Sequence, residues 1–130
     1  MAARKKTAPP FTPPGLDTLL GGLDAATFLR DYWQKKPLLV RQAVPGFGAM
    51  IGRDALLDMA CREDAESRLV RQSGGRWHVE YGPQDAARLA RLPKRNWTVL
   101  VQGVNTLHAG ADALMRAFDF IPYARLDDLM

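Results

Sequence analysis

Residues 67–81 read Ser-Arg-Leu-Val-Arg-Gln-Ser-Gly-Gly-Arg-Trp-His-Val-Glu-Tyr. This stretch decides the fold class, because here the apolar period changes from that of a helix to that of a strand. Arg68-Leu69-Val70-Arg71 and Arg76 to Tyr81 flank Ser73-Gly74-Gly75. Paired glycines tolerate the positive φ of a tight turn, so the stretch predicts a β-hairpin. Strand side chains alternate between faces, which puts Trp77, Val79 and Tyr81 on one side and His78 and Glu80 on the other. Gly82-Pro83 closes the second strand, since proline has no N–H to give to a ladder.

On the N-terminal side the pattern is helical. Asp24 is an N-cap residue for a helix from Ala25 to about Lys35. Phe28 and Tyr32, and Leu29 and Trp33, are four apart and form a broad apolar face. Pro37 stops that helix, and Leu38-Leu39-Val40 is expected as a short buried strand. A loop with Pro45, Gly46, Gly48 and Gly52 leads to a helix from about Arg53 to Arg62, with Asp54 in its first turn where the dipole favours an anion. Beyond the hairpin, Asp85 to Leu92 is expected as a short helix. Asn96 to Val104 reads as a strand whose two faces are both largely apolar, which predicts a central strand covered on both sides. A helix from Ala111 to Phe118 pairs Leu114 with Phe118. Pro122 ends that region, and Arg125 to Met130 is expected to begin another strand. The fold class is α+β. The order fits a small domain of that class or the front of a larger β-rich one.

Composition sets limits. The 130 residues are 47% hydrophobic and 25% charged, which suits a single globular body. No run approaches the ~18 apolar residues of a membrane span. Met1 to Phe11 carries a charged patch with no apolar stretch behind it, so no secretory signal is expected. One cysteine, Cys61, makes no internal disulfide, and a reducing cytoplasm is the expected compartment. Lys plus Arg is 18 and Asp plus Glu is 14, a net +4. Arg4, Lys5 and Lys6 lie in the proline-rich stretch 1–15, which is expected as a disordered basic arm ahead of a body spanning 16–130. The body is then nearly neutral, so neither a membrane nor a nucleic acid is expected as its partner.

The residues offer few candidates for chemistry. His78 and Glu80, two apart on a strand, could share a metal ion, with the distant His108 as a nominal third ligand. The plainer reading pairs both with Arg68 or Arg76 across the hairpin, on the solvated face. Cys61 sits on the apolar side of its helix beside Leu57, as a buried structural thiol would. His108 lies just ahead of a helix and suits a cap. Ser67 and Ser73 occupy strand and turn positions without a nucleophile elbow. Gly46-Phe47-Gly48 lacks the third glycine of a phosphate loop. Trp33, Trp77 and Trp97 could stack on bases, but core packing is the expected role, above all for Trp97.

A run of motifs carries a family resemblance. Trp33-Gln34-Lys35-Lys36-Pro37 followed by Leu38-Leu39-Val40 resembles the opening of the JmjC-type cupin ribosomal oxygenases. Asp64 to Val70, Trp77 to Pro83, Asn96 to Asn105, Leu114 to Phe118 and Arg125 to Met130 are similar to later pieces of that family in the same order. The likeness extends over about residues 24–130, and is strongest to bacterial enzymes that hydroxylate an arginine of a large-subunit ribosomal protein. The resemblance implies the N-terminal helix and strand flank of an incomplete double-stranded β-helix domain. It also implies oxygen chemistry carried by Fe(II) and 2-oxoglutarate in a full-length relative, with a ribosomal protein as substrate. The family's iron-binding His-x-Asp and later His lie beyond the Arg125–Met130 stretch. The resemblance therefore transfers no catalytic, cofactor-binding or metal residue to this chain. The chain alone is expected to be inactive and poorly stable. A stand-alone, non-catalytic interaction module derived from that family is the alternative, and homodimerisation is left open.

Overall fold

The computed structural model describes residues 11–130. Residues 1–10 of the expected arm lie outside the described residues. Residues 11–15 run without regular structure, and Phe11 to Pro14 share a surface depression with Pro45 and Gly46.

The chain enters a single turn, α1 (Leu16–Leu19), and then α2 (Ala25–Asp31). The Asp24 side chain accepts the Thr27 N–H at 2.7 Å, as its N-cap position requires. Helix α2 stops at Asp31, short of the expected Lys35. Tertiary packing wins over local propensity here. The Tyr32 and Trp33 N–H groups both donate to Phe28 O, and Gln34 turns to φ 57°. The turn gathers Tyr32 and Trp33 around Phe28, each ring centroid 6.2 Å away, while Phe120 meets Phe28 edge-on at 5.8 Å. Such aromatic pairs contribute about 0.5–1.5 kcal/mol beyond their burial, enough to outweigh one more helical turn.

Leu38-Leu39-Val40 does not form the expected buried strand. It has no regular structure and no ladder partner among the described residues, and Leu39 is 76% exposed. Val40 instead packs on Gly21, which sits at φ 63°. A Cβ there would lie 3.1 Å from Val40 Cγ2. An apolar triplet reports a wish for burial, but only a neighbouring strand makes it a strand.

Helix α3 (Arg53–Ala60) leads into the hairpin, β1 (Ser67–Ser73) and β2 (Arg76–Tyr81). Gly74 and Gly75 take φ values of 57° and 75°, the mirror-image turn that matches the twist of the strands. A short helix, α4 (Ala86–Ala90), follows, capped by Asp85 accepting the Arg88 N–H at 2.6 Å. Strand β3 (Trp97–Val101) then pairs antiparallel with β1, giving the order β2-β1-β3. The expectation of a central β3 is therefore corrected: β1 is the middle strand, and β3 pairs on one side only among the described residues. Apolar residues on both faces of β3 say nothing about which edge is paired, because pairing is made by the backbone. Thr98 is exposed, so the expected cover on both faces is absent among the described residues as well.

One face of the sheet carries Ser67, Leu69, Val99 and Val101, as the register of Leu69 with Glu80 and Val99 dictates. The core lies there. Met59, Ala60 and Ala65 meet Val101, Val104 and Ala111, and Leu69 is fully buried. Burying a leucine side chain stabilises by about 1.5–3 kcal/mol. The expected helix from Ala111 to Phe118 is α6 (Ala109–Arg116), and it is preceded by a single turn, α5 (Val104–Leu107), that the sequence pattern did not suggest. The final residues correct another expectation. Tyr123–Arg125 form a 3-10 turn, and residues 126–130 form no strand among the described residues. Their polar groups go to the start of α5: the Val104 N–H donates to Leu129 O at 2.8 Å, and the Leu129 N–H to Asn105 Oδ1 at 3.0 Å. The Asp128 carboxylate accepts the Gly103 N–H. Helix N-termini carry unsatisfied donors, and this segment satisfies them.

Candidate functional site

The His78–Glu80 pair was the sharpest chemical candidate, and the structure spends Glu80 elsewhere. Leu69 stands opposite Glu80 in the register, so Glu80 faces the helix-covered side rather than solvent. Its carboxylate accepts from Arg71 Nη2 at 2.6 Å and Nε at 3.1 Å, and its second oxygen meets Arg88 from α4. The expected partners, Arg68 and Arg76, are corrected. Arg68 points to the other face, bonding Glu66 and Gln102 and lying over the Tyr81 ring. Arg71 shares the parity of Leu69, so a fixed register would have identified it. Arg88 arrives only through the Gly82-Pro83 turn, and no local spacing shows it.

The Arg88 guanidinium, and then that of Arg71, hold the Glu80 carboxyl below the usual range. A depressed folded-state value means that the stabilisation is present above the ordinary glutamate value of 4.5 and lost as pH falls through the lower folded value. Wild-type melting temperature should therefore drop on acidification below that value more steeply than that of Glu80→Gln. Parallel pH profiles of the two proteins would show that the cluster contributes nothing.

His78 stands opposite Arg71 on the same face and is exposed. His108 lies at the junction of α5 and α6, where its Nδ1 accepts the Ala111 N–H at 3.3 Å, the cap role expected of it. Among the described residues, no group of three or more His, Cys, Asp or Glu side chains could hold a metal ion. A carboxylate engaged by two guanidinium groups is a poor ligand, since a metal would have to displace both.

Cys61 is half-buried rather than buried, at a cleft of about 580 Å³ between α3, α4 and Trp97. Burial pushes its thiol pKa up, and Asp58 and Asp85 add to the effect. A raised pKa withholds the thiolate, so Cys61 is not an activated nucleophile. Ser67 Oγ is buried and donates to Ala60 O at 2.8 Å, a structural role. Trp97 is half-buried, donating its indole N–H to Pro93 O with Arg53 over its ring, so the expected full burial is not reached. Trp77 is 68% exposed together with Tyr81 at 73% and Val79 at 50%. The sheet face expected to be solvated is thus the covered one, and the aromatic face is open. Alternation divides the two sets of residues but does not say which set faces the helices.

No protein-family model matches the chain. Over 103 residues it is 39% identical to the ribosomal protein uL16 3-hydroxylase of Escherichia coli (strain K12), covering 79% of this chain and 27% of that protein. It is 36% identical to a probable ribosomal oxygenase of Haemophilus influenzae, covering 79% of this chain and 26% of that one. The chain therefore spans about a quarter of the length of these curated relatives. Among solved structures, YcfD, a ribosomal oxygenase from Escherichia coli, matches 82% of this chain and 29% of its own length, with 37% identity and a TM-score of 0.71. The same oxygenase has been solved in complex with cobalt and 2-oxoglutarate, with equal coverage and TM-score. No helix among the described residues is long and apolar enough to cross a membrane. Over the matched residues, sequence and fold together make this chain a homologue of the ribosomal oxygenases.

Proposed function

We propose that this chain provides part of the scaffold of an Fe(II)- and 2-oxoglutarate-dependent hydroxylase acting on a ribosomal protein. In this reading, residues 16–130 are the helix and sheet flank of a double-stranded β-helix, preceded by the basic arm 1–15. The likeness to the solved oxygenase, 37% identical with a TM-score of 0.71, carries the reading. The described residues do not fit the iron. Glu80 is held by Arg71 and Arg88, His78 is left without a carboxylate partner on its strand, and His108 serves a helix N-terminus. The metal ligands therefore belong to other residues of such an enzyme, and this segment positions them.

The 130-residue chain, titrated anaerobically with Fe(II) in the presence of 2-oxoglutarate, should show no saturable binding, and no 2-oxoglutarate should be consumed in air. Stoichiometric, micromolar iron binding that disappears in His78→Ala would overturn the assignment. One observation favours a second reading, a non-catalytic interaction module: the open Trp77, Val79 and Tyr81 face presents apolar area of the kind that partners cover.

A further inference from the structure

Net charge suggests a nearly neutral body, but the structure sorts the charges by place. At the start of β3, a groove of about 390 Å³ runs between the hairpin tip and the loop before β3. Arg71, Ser73, Pro93, Lys94, Arg95 and Trp97 line it, and no carboxylate does. Arg76 does not line the groove but stands opposite Ser73, which does, across the turn. Arg71 is committed to Glu80, but Arg76, Lys94 and Arg95 have no carboxylate within salt-bridge distance among the described residues. Residues 1–10 contain no Asp or Glu side chain that could supply one. All three are exposed. Two acids, Asp54 and Asp58, stand in the neighbouring cleft that shares Pro93, Lys94 and Trp97 with the groove, where Arg53 pairs with Asp54. A larger group, Asp112, Asp119, Asp127 and Asp128, lines a depression with Arg116 beyond the other end of β3. Five residues of strand separate the two regions by roughly 17 Å, about two Debye lengths in physiological salt. The acidic end therefore does not cancel the field of the basic groove.

We propose that this groove binds the phosphate backbone of a nucleic acid strand. Three unpaired cations beside the Ser73 hydroxyl and the side-chain amides of Gln72 and Asn96 suit phosphate oxygens, which are read by charge and by N–H and O–H donors without regard to base. Charge and hydrogen-bond donors carry the site; Arg53, 6.0 Å from the Trp97 ring centroid, lines the neighbouring cleft and not this groove. The groove consequently binds weakly and without sequence preference. Each neutralised phosphate releases counterion, so with three contacts the slope of log K against log salt should be about −2 for a single strand.

The test uses the 130-residue chain and a fluorescent oligouridylate, read by anisotropy. Binding should fall roughly tenfold between about 50 and 200 mM salt. The double variant Lys94→Glu, Arg95→Glu, which alters exposed loop side chains, should abolish it, whereas Arg125→Glu, outside the groove, should leave most of it. Deletion of residues 1–10 separates the basic arm from the groove. Binding that survives the double variant but vanishes with the deletion would overturn the assignment. So would tighter binding to polyglutamate than to the oligouridylate, which would make the groove a site for an acidic protein.

Discussion

Gly82→Ala is expected to destabilise the chain by about 3 kcal/mol. A Cβ at residue 82 would stand 2.0 Å from Ser67 Oγ and 3.3 Å from both the Cβ and the carbonyl oxygen of Ser67. Neither partner can easily yield. The Gly82 N–H already donates to Ser67 O at 2.7 Å, which fixes the two backbones together. Ser67 is only 2% exposed, and its hydroxyl is committed to Ala60 O at the end of α3. Rotating that hydroxyl away leaves a buried donor and acceptor unpaired, at about 1–3 kcal/mol. Shifting the strand instead overpacks the junction of α3 and β1, at a similar cost of about 1–3 kcal/mol. Urea denaturation measures the loss. The double variant with Ser67→Ala identifies its cause: with the hydroxyl gone, the alanine at 82 should cost far less than in the wild type. Equal costs in the two backgrounds would mean that the clash is not the source. A domain has only about 5–15 kcal/mol in hand, so this one methyl group removes a large fraction of it.

The hairpin was legible because its information is local. Gly74-Gly75 sets the turn, and alternation on either side sets the strands. The caps at Asp24 and His108 were legible for the same reason, since each accepts an N–H three residues on; Asp85 does the same, one position ahead of the helix it was expected to open. The expectations that failed depend on what lies across space. Alternation in β2 divided Trp77, Val79 and Tyr81 from His78 and Glu80, yet only the arrival of α3 decides which set is covered. Leu38 to Val40 had strand composition but no neighbour to pair with among the described residues. The last residues had it too, but Asp128 and Leu129 serve the start of α5 instead. For the candidate site, residue types alone suggested a His78–Glu80 pairing, and the partners lay elsewhere. Glu80 looked like half of a metal pair because an isolated His-x-Glu cannot reveal that Arg71 and Arg88 converge on the carboxylate. The family likeness came from several short motifs in a fixed order, which survive substitution better than any single contact.

On the proposed function, these residues are interchangeable, as scaffold, with the corresponding segment of a ribosomal oxygenase. A chimera tests it with an all-or-none readout. The segment of the Escherichia coli uL16 3-hydroxylase that matches this chain is replaced by the homologous 103 residues. At 39% identity most surface positions change, so function survives only if the core and the surfaces that meet the rest of the enzyme are equivalent. The Trp77, Val79 and Tyr81 face and the segment around Leu39 are exposed apolar surfaces that such a replacement brings into play. Hydroxylation of uL16 by the purified chimera, read by mass spectrometry of the ribosomal protein, is the measurement. The hydroxylated product should form. A soluble chimera that binds cobalt and 2-oxoglutarate yet leaves uL16 unmodified would contradict the proposed function.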